Sequence, residues 1–156
     1  MKYWLVKSEP DAFSIQDLKN KPGSQDSWDG VRNYQARNFM RDEMRVGDRV
    51  LFYHSNAKPP GVVGTARVAR EAYPDHTAWD PDSKYFDPRS TEEKPVWMMV
   101  DVKYESEFPE IISLDSLREE TALKDMPLLK KGMRLSVMPV TEAQFNRVLA
   151  LAGQKP

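Results

Sequence analysis

Apolar and aromatic residues crowd the stretch from Tyr3 to Ser8, which predicts a first strand. Ser14 before Ile15-Gln16-Asp17-Leu18 predicts a short helix, with Ser14 as N-cap and Asp17 in the first turn. Lys21-Pro22-Gly23-Ser24 breaks the chain. A helix is predicted from Tyr34 to Met44, where Arg37, Arg41 and Arg45 share one face and Met40 and Met44 another. Val46-Gly47-Asp48 then turns into a strand over Arg49 to Ser55. There Val50, Phe52 and His54 alternate with Leu51, Tyr53 and Ser55. Pro59-Pro60-Gly61 leads to a strand over Val62 to Ala69, and Gly64 inside it predicts a bulge or a close backbone approach.

The stretch from Tyr73 to Pro95 carries Pro74, Pro81, Pro88 and Pro95, together with Tyr73, Trp79, Tyr85 and Phe86. It predicts an ordered loop, and long loops inside compact domains are usually functional. The strand signal is clearest from Val96 to Tyr104. A short helix over Ser113 to Glu120, a helical turn over Met126 to Lys131 and a strand over Arg134 to Val140 follow. Thr141 with Gln144 forms a capping box for a last helix, whose buried stripe is Phe145, Val148, Leu149 and Ala152, closed by Gly153. Strands outnumber long helices and do not alternate regularly with them. This argues against a doubly wound parallel sheet and predicts an α+β domain over residues 1–156, a curved or closed mixed sheet with helices around its edges.

Composition changes this picture little. The chain has 156 residues, 40% of them hydrophobic, a size that suits one core. It has no cysteine, which excludes disulfides, thiolate catalysis and Cys-based zinc sites. The apolar run at the N-terminus is too short for a signal peptide and meets Lys7 too soon for a membrane span, so a cytoplasmic protein with no membrane partner is expected. The net charge of −1 conceals a division. Residues 71–120 hold 14 acidic and 5 basic side chains, and residues 30–70 hold 8 basic and 3 acidic. A polyanion has a face to bind if these blocks stay apart in space; if they interleave, the surface is merely mixed.

Enzyme templates do not fit. Gly61-Val62-Val63-Gly64 lacks the third glycine of a dinucleotide fingerprint, and no phosphate-binding loop or Gly-x-Ser-x-Gly elbow occurs. Asp80-Pro81-Asp82-Ser83-Lys84-Tyr85 opens like a calcium loop but puts Tyr85 where glycine is needed. His54 and His76 have no histidine at zinc-site spacing. No metal, cofactor or complete catalytic set is expected.

What remains is polar residues set beside aromatic ones in Lys7-Ser8-Glu9-Pro10, Trp28-Asp29-Gly30-Val31-Arg32-Asn33-Tyr34, Phe52-Tyr53-His54-Ser55-Asn56 and Arg134-Leu135-Ser136-Val137. Aromatic planes stack on bases, amides and hydroxyls read base edges, and arginines hold phosphates. Each has a plainer reading: Trp28 as core, Asn33 as a helix N-cap, His54 as a satisfied core histidine, and Arg37, Arg41 and Arg45 as a solvated face. Residue types leave both readings open.

These segments, with Gln35-Ala36-Arg37, Pro59-Pro60-Gly61-Val62-Val63-Gly64, Tyr73-Pro74-Asp75 and Asp80-Pro81, resemble the hallmark segments of EVE domains across nearly the whole chain. The resemblance implies a PUA-like fold and kinship with YTH domains, which hold a methylated base in an aromatic cage. It implies a pocket formed by Lys7, Ser8, Trp28, Val31, Arg32, Asn33, Tyr34, His54, Ser55 and Ser136. Arg37, Arg41 and Arg134 are expected along the phosphate backbone. The expected function is a monomeric, non-catalytic reader of a modified nucleobase in DNA or RNA. Its rivals are an enzyme using His54 as general base and a small-molecule or protein-binding domain contacting partners through the acidic segment.

Overall fold

The computed structural model describes residues 1–155. Among them run strand β1 (Tyr3–Ser8), helix α1 (Ile15–Lys19), strand β2 (Gln25–Ser27), helix α2 (Tyr34–Asp42), strands β3 (Arg49–His54), β4 (Gly61–Pro74) and β5 (Met98–Ser113), helix α3 (Leu114–Arg118), strand β6 (Val137–Val140) and helix α4 (Glu142–Leu151). The strands form one mixed sheet in the order β2-β5-β4-β3-β1-β6. Only β1 and β3 run parallel; the other pairs are antiparallel. The sheet is open, with β2 and β6 at its edges.

Strand alternation builds a core on each side of this sheet. Trp4, Val6, Val50 and Phe52 face one core, with α1 and α2. Leu5, Leu51 and Tyr53 face the other, against α3, α4 and the 3₁₀ turns Thr121–Leu123 and Pro127–Leu129. Strand β3 is therefore buried on both faces, which is why its sequence reads as a nearly continuous apolar run.

Helix starts follow their expected caps. Ser14 and Asp17 complete a capping box on α1, and Thr141 and Gln144 another on α4. Several boundaries differ from expectation, among them strand β6, which starts at Val137 rather than Arg134 and leaves Arg134 and Ser136 before it. Helix α2 stops at Asp42, because the Met44 and Glu43 N–H groups both turn back to the Phe39 carbonyl and Arg45 N–H donates to Asp48. Strands β4 and β5 extend to Pro74 and Ser113 through several bulges that hide the period of two. The expected loop shortens accordingly, since Tyr73 and Pro74 pair with Met99 and Met98. Strand β2 has no sequence signal at all: three polar residues become a strand only because β5 offers them a free edge. Among the described residues, no helix is long and apolar enough to cross a membrane.

Candidate functional site

The site begins where β2 ends. The Trp28 N–H donates to the Val100 carbonyl at 2.7 Å. That anchor sets the indole between Phe13 and Phe52, edge-on to both, with ring centroids 6.0 and 5.3 Å away. Trp28 is 7% exposed, so it belongs to the core and still forms a wall. Gly30 then reverses the chain at φ +78°, where an L side chain is strained by about 1–2 kcal/mol. A Cβ there would lie 2.5 Å from Cζ of Tyr85, so the far end of that ring rests on the glycine backbone.

Arg32 holds Tyr85 in place. Its Nε and Nη2 donate to the Tyr85 carbonyl at 3.0 and 2.8 Å, and its Nη1 donates to Asp75 Oδ2 at 3.0 Å. Asp75 is fully buried and also accepts from the Gly30 N–H at 2.8 Å and from both the N–H and the hydroxyl of Thr77. Burial alone would raise its pKa, but the hydrogen bonds from Thr77, Gly30 and Arg32 outweigh burial and hold it below the usual carboxylate value. This hub joins two segments that lie more than forty residues apart.

Between these parts lies a cavity of about 280 Å³, lined by Ser8, Ala12, Phe13, Asp26, Ser27, Trp28, Asp29, Lys84 and Tyr85. That is slightly smaller than the roughly 300–1,000 Å³ of pockets for drug-sized ligands, and it suits one planar ring. Phe13, Trp28 and Tyr85 supply the apolar walls. The polar wall is uneven. Asp26 accepts from the Ser27 N–H at 2.8 Å and faces Lys21 at 3.6 Å. Among the described residues the Asp29 carboxylate has no hydrogen-bond or ion-pair partner. Partial burial raises its pKa, the charges of Asp75 and Asp26 raise it further, and His76 and Arg32 offset part of the rise.

Of the residues expected at the pocket, Ser8 and Trp28 line this cavity. Ser8 Oγ donates to the Phe13 carbonyl at 2.7 Å, which shapes the wall, and the Ser55 N–H donates to the Ser8 carbonyl at 3.0 Å. Val31 is buried in the core beside them. Arg32 clamps the loop as described. Asn33 caps α2, its side-chain oxygen accepting from the Ala36 N–H at 3.0 Å. Tyr34 stacks on Trp97 at 4.8 Å and lies under Arg37 at 4.9 Å, outside the cavity lining. His54 lines a separate hollow of about 350 Å³, and its Nε2 accepts from the Ile15 N–H at 3.2 Å. Burial lowers its pKa, so the neutral ring that this bond requires is favoured. Lys7 and Ser8 alternate, so Lys7 lies across the sheet near the Tyr53 ring, and its N–H donates to the Ser136 carbonyl at 2.8 Å. Burial lowers the Lys7 pKa. Arg37 donates to the Val96 carbonyl, Arg41 pairs with Asp42, and Arg134 is exposed.

Ala12, Phe13, Asp26, Ser27, Asp29, Lys84 and Tyr85 were not among the expected pocket residues. The aromatic content of the loop after Tyr73 was the available signal for Tyr85, whereas nothing local marks Phe13. No group of three or more His, Asp or Glu side chains among the described residues is placed to hold a metal ion.

The EVE domain family model matches residues 2–151. Thymocyte nuclear protein 1 of Mus musculus is 43% identical over 171 residues, which cover 99% of this chain and 75% of that protein. A crystal structure of a Pseudomonas syringae protein is 49% identical with a TM-score of 0.92, covering 96% of this chain and 99% of the other. The crystal structure of human THYN1 protein in complex with DNA containing 5-methylcytosine is 42% identical with a TM-score of 0.91, and all of each chain is covered.

Proposed function

We propose, from the premise that this chain belongs to the EVE domain family, that it is a non-catalytic reader of a modified nucleobase in nucleic acid. It has the α+β, PUA-like fold of that family. The observation that carries the reading is the cavity of about 280 Å³ walled by Phe13, Trp28 and Tyr85 beside an unpartnered Asp29. Aromatic walls suit a flat ring that has left its stack, and stacking contributes roughly 1–3 kcal/mol per base. The human relative was crystallised with DNA containing 5-methylcytosine, which makes a methylated cytosine the first ligand to test.

A methyl group that fills an apolar niche near Ala12 and Phe13 adds on the order of 0.8 kcal/mol, roughly a fourfold preference over the unmodified base. Extracting the base from a duplex costs a few kcal/mol, so a mismatched or single-stranded site binds more tightly. The test is fluorescence anisotropy with oligonucleotides that differ only in one cytosine, methylated or plain. The expected result is tighter binding of the methylated strand by the wild type and loss of that difference in Trp28→Ala, with circular dichroism to check that the variant folds. Equal, salt-driven affinity of the wild type for both strands would defeat the reading.

A further inference from the structure

We infer that Asp29 is the specificity-determining residue of this pocket, and that it selects a cytosine-type base by accepting a hydrogen bond from the exocyclic amino group while rejecting thymine. The inference rests on the proposed function of the same cavity. Three observations carry it.

The first is a chemical problem that the apolar walls cannot solve. Thymine has the same 5-methyl group, nearly the same shape and the same π-face as 5-methylcytosine. Stacking on Phe13, Trp28 and Tyr85, and burial of the methyl, therefore favour both bases alike. Thymine is a normal constituent of DNA, so a reader without an edge contact would be saturated by it. On the edge a flipped base presents, the two differ at position 4, an amino donor in cytosine and a carbonyl acceptor in thymine, and at N3, an acceptor in cytosine and an N–H donor in thymine, so a carboxylate rejects thymine where it is aligned with position 4.

The second is the state of the polar wall. Asp26 is engaged by Ser27 and Lys21, and Ser8 by the Phe13 carbonyl. Asp29 lines the same cavity with a solvent-exposed carboxylate that no other group among the described residues engages. An ionised carboxylate is an acceptor only. It matches the N4 amino group of cytosine, the pairing that acidic side chains make with cytosine in the major groove. Opposite the thymine O4 it places two acceptors face to face.

The third is what surrounds Asp29. Its neighbours Asp75 and Asp26 are themselves acidic, and its carboxyl is more basic than an ordinary one. A more basic carboxylate is a stronger acceptor for an amino group. His76 and Arg32 temper this effect, and Arg32 is already committed to Asp75, Thr77 and Tyr85. The backbone at this position is fixed, because Gly30 follows at once and its N–H donates to Asp75 at 2.8 Å.

The test compares wild type and Asp29→Asn against single-stranded oligonucleotides carrying one 5-methylcytosine, thymine or cytosine at the same position. The asparagine is isosteric and exposed, and its amide presents an acceptor to an amino group or, flipped, a donor to a carbonyl. The wild type is expected to prefer 5-methylcytosine over thymine by roughly tenfold or more, the range of one good base-edge contact. In Asp29→Asn that ratio is expected to fall to about threefold or less, mainly through tighter thymine binding, with the preference for 5-methylcytosine over cytosine retained. A variant that keeps the wild-type ratio against thymine overturns the assignment of Asp29. A wild type that does not distinguish 5-methylcytosine from cytosine instead overturns the proposed function, so the two failures are told apart.

Discussion

The two faces of the sheet are finished differently. On one, Leu5, Leu51, Leu117, Leu123, Met126, Met138, Phe145, Val148 and Leu149 pack under α3, α4 and the 3₁₀ turns. All of these side chains are buried, none more than 1% exposed. On the other, α1 and α2 cover only part of the sheet, and the aromatic residues Phe13, Trp28 and Phe52 meet edge to face beside an open pocket. A face that only has to be stable is filled to native density. A face that binds must hold its walls apart, so its rigidity comes from a polar hub, Arg32 and Asp75, rather than from filled volume.

The largest expected effect lies on the filled face. Phe145→Ala should destabilise the protein by about 3–5 kcal/mol, the usual cost of emptying a buried phenylalanine site. Urea unfolding reads the loss, and oligonucleotide preference of the remaining folded protein should not change. A changed preference would break the separation between the faces.

The hub comes next. Asp75→Asn should cost about 2–3 kcal/mol, because it strands the partly buried Arg32 guanidinium and weakens the bond from Gly30. Binding should weaken with it as Tyr85 loses its anchor. The pH dependence has a definite sign. The folded pKa of Asp75 lies below its unfolded value of about 3.9, so its stabilisation is fully present above that pH and is lost as pH falls through the folded value. Acid unfolding of Asp75→Asn should lack this component.

Gly30→Ala is a sharper test, because it disturbs the pocket more than the fold. Strain at positive φ should cost about 1–2 kcal/mol, while displacement of Tyr85 should reduce affinity for the modified strand by tenfold or more. Titration calorimetry and thermal melting together separate the two. The smallest effect is expected for Arg41→Gln. Arg41 is exposed and paired with Asp42, so the melting temperature should not move measurably.

Much of the local structure was legible in the chain. Caps at Ser14, Asn33 and Thr141 and the span of β1 follow from short-range rules, and Asn33 turned out to be the cap that one reading made of it. The face of Lys7 was also legible in principle: neighbours in a strand point to opposite sides, so Lys7 and Ser8 do not share a pocket wall. The position of His54 was not, since it depends on α1 docking against the end of β3.

By itself the sequence determined every element but strand β2, the caps of three helices and the membership of the family, because these depend on residues close together in the chain and on motifs read in order. It also marked Trp28 to Tyr34 as the segment to watch. Only the tertiary structure decided which of those residues meet the cavity. Trp28 and Asp29 do, whereas Gly30 seats the Tyr85 ring and Arg32 and Asn33 hold the loop and the helix in place. The reason is that the opposing walls, Phe13 and Tyr85, come from distant segments, and the contacts that bring them together are chosen by packing and by one buried carboxylate rather than by any local pattern.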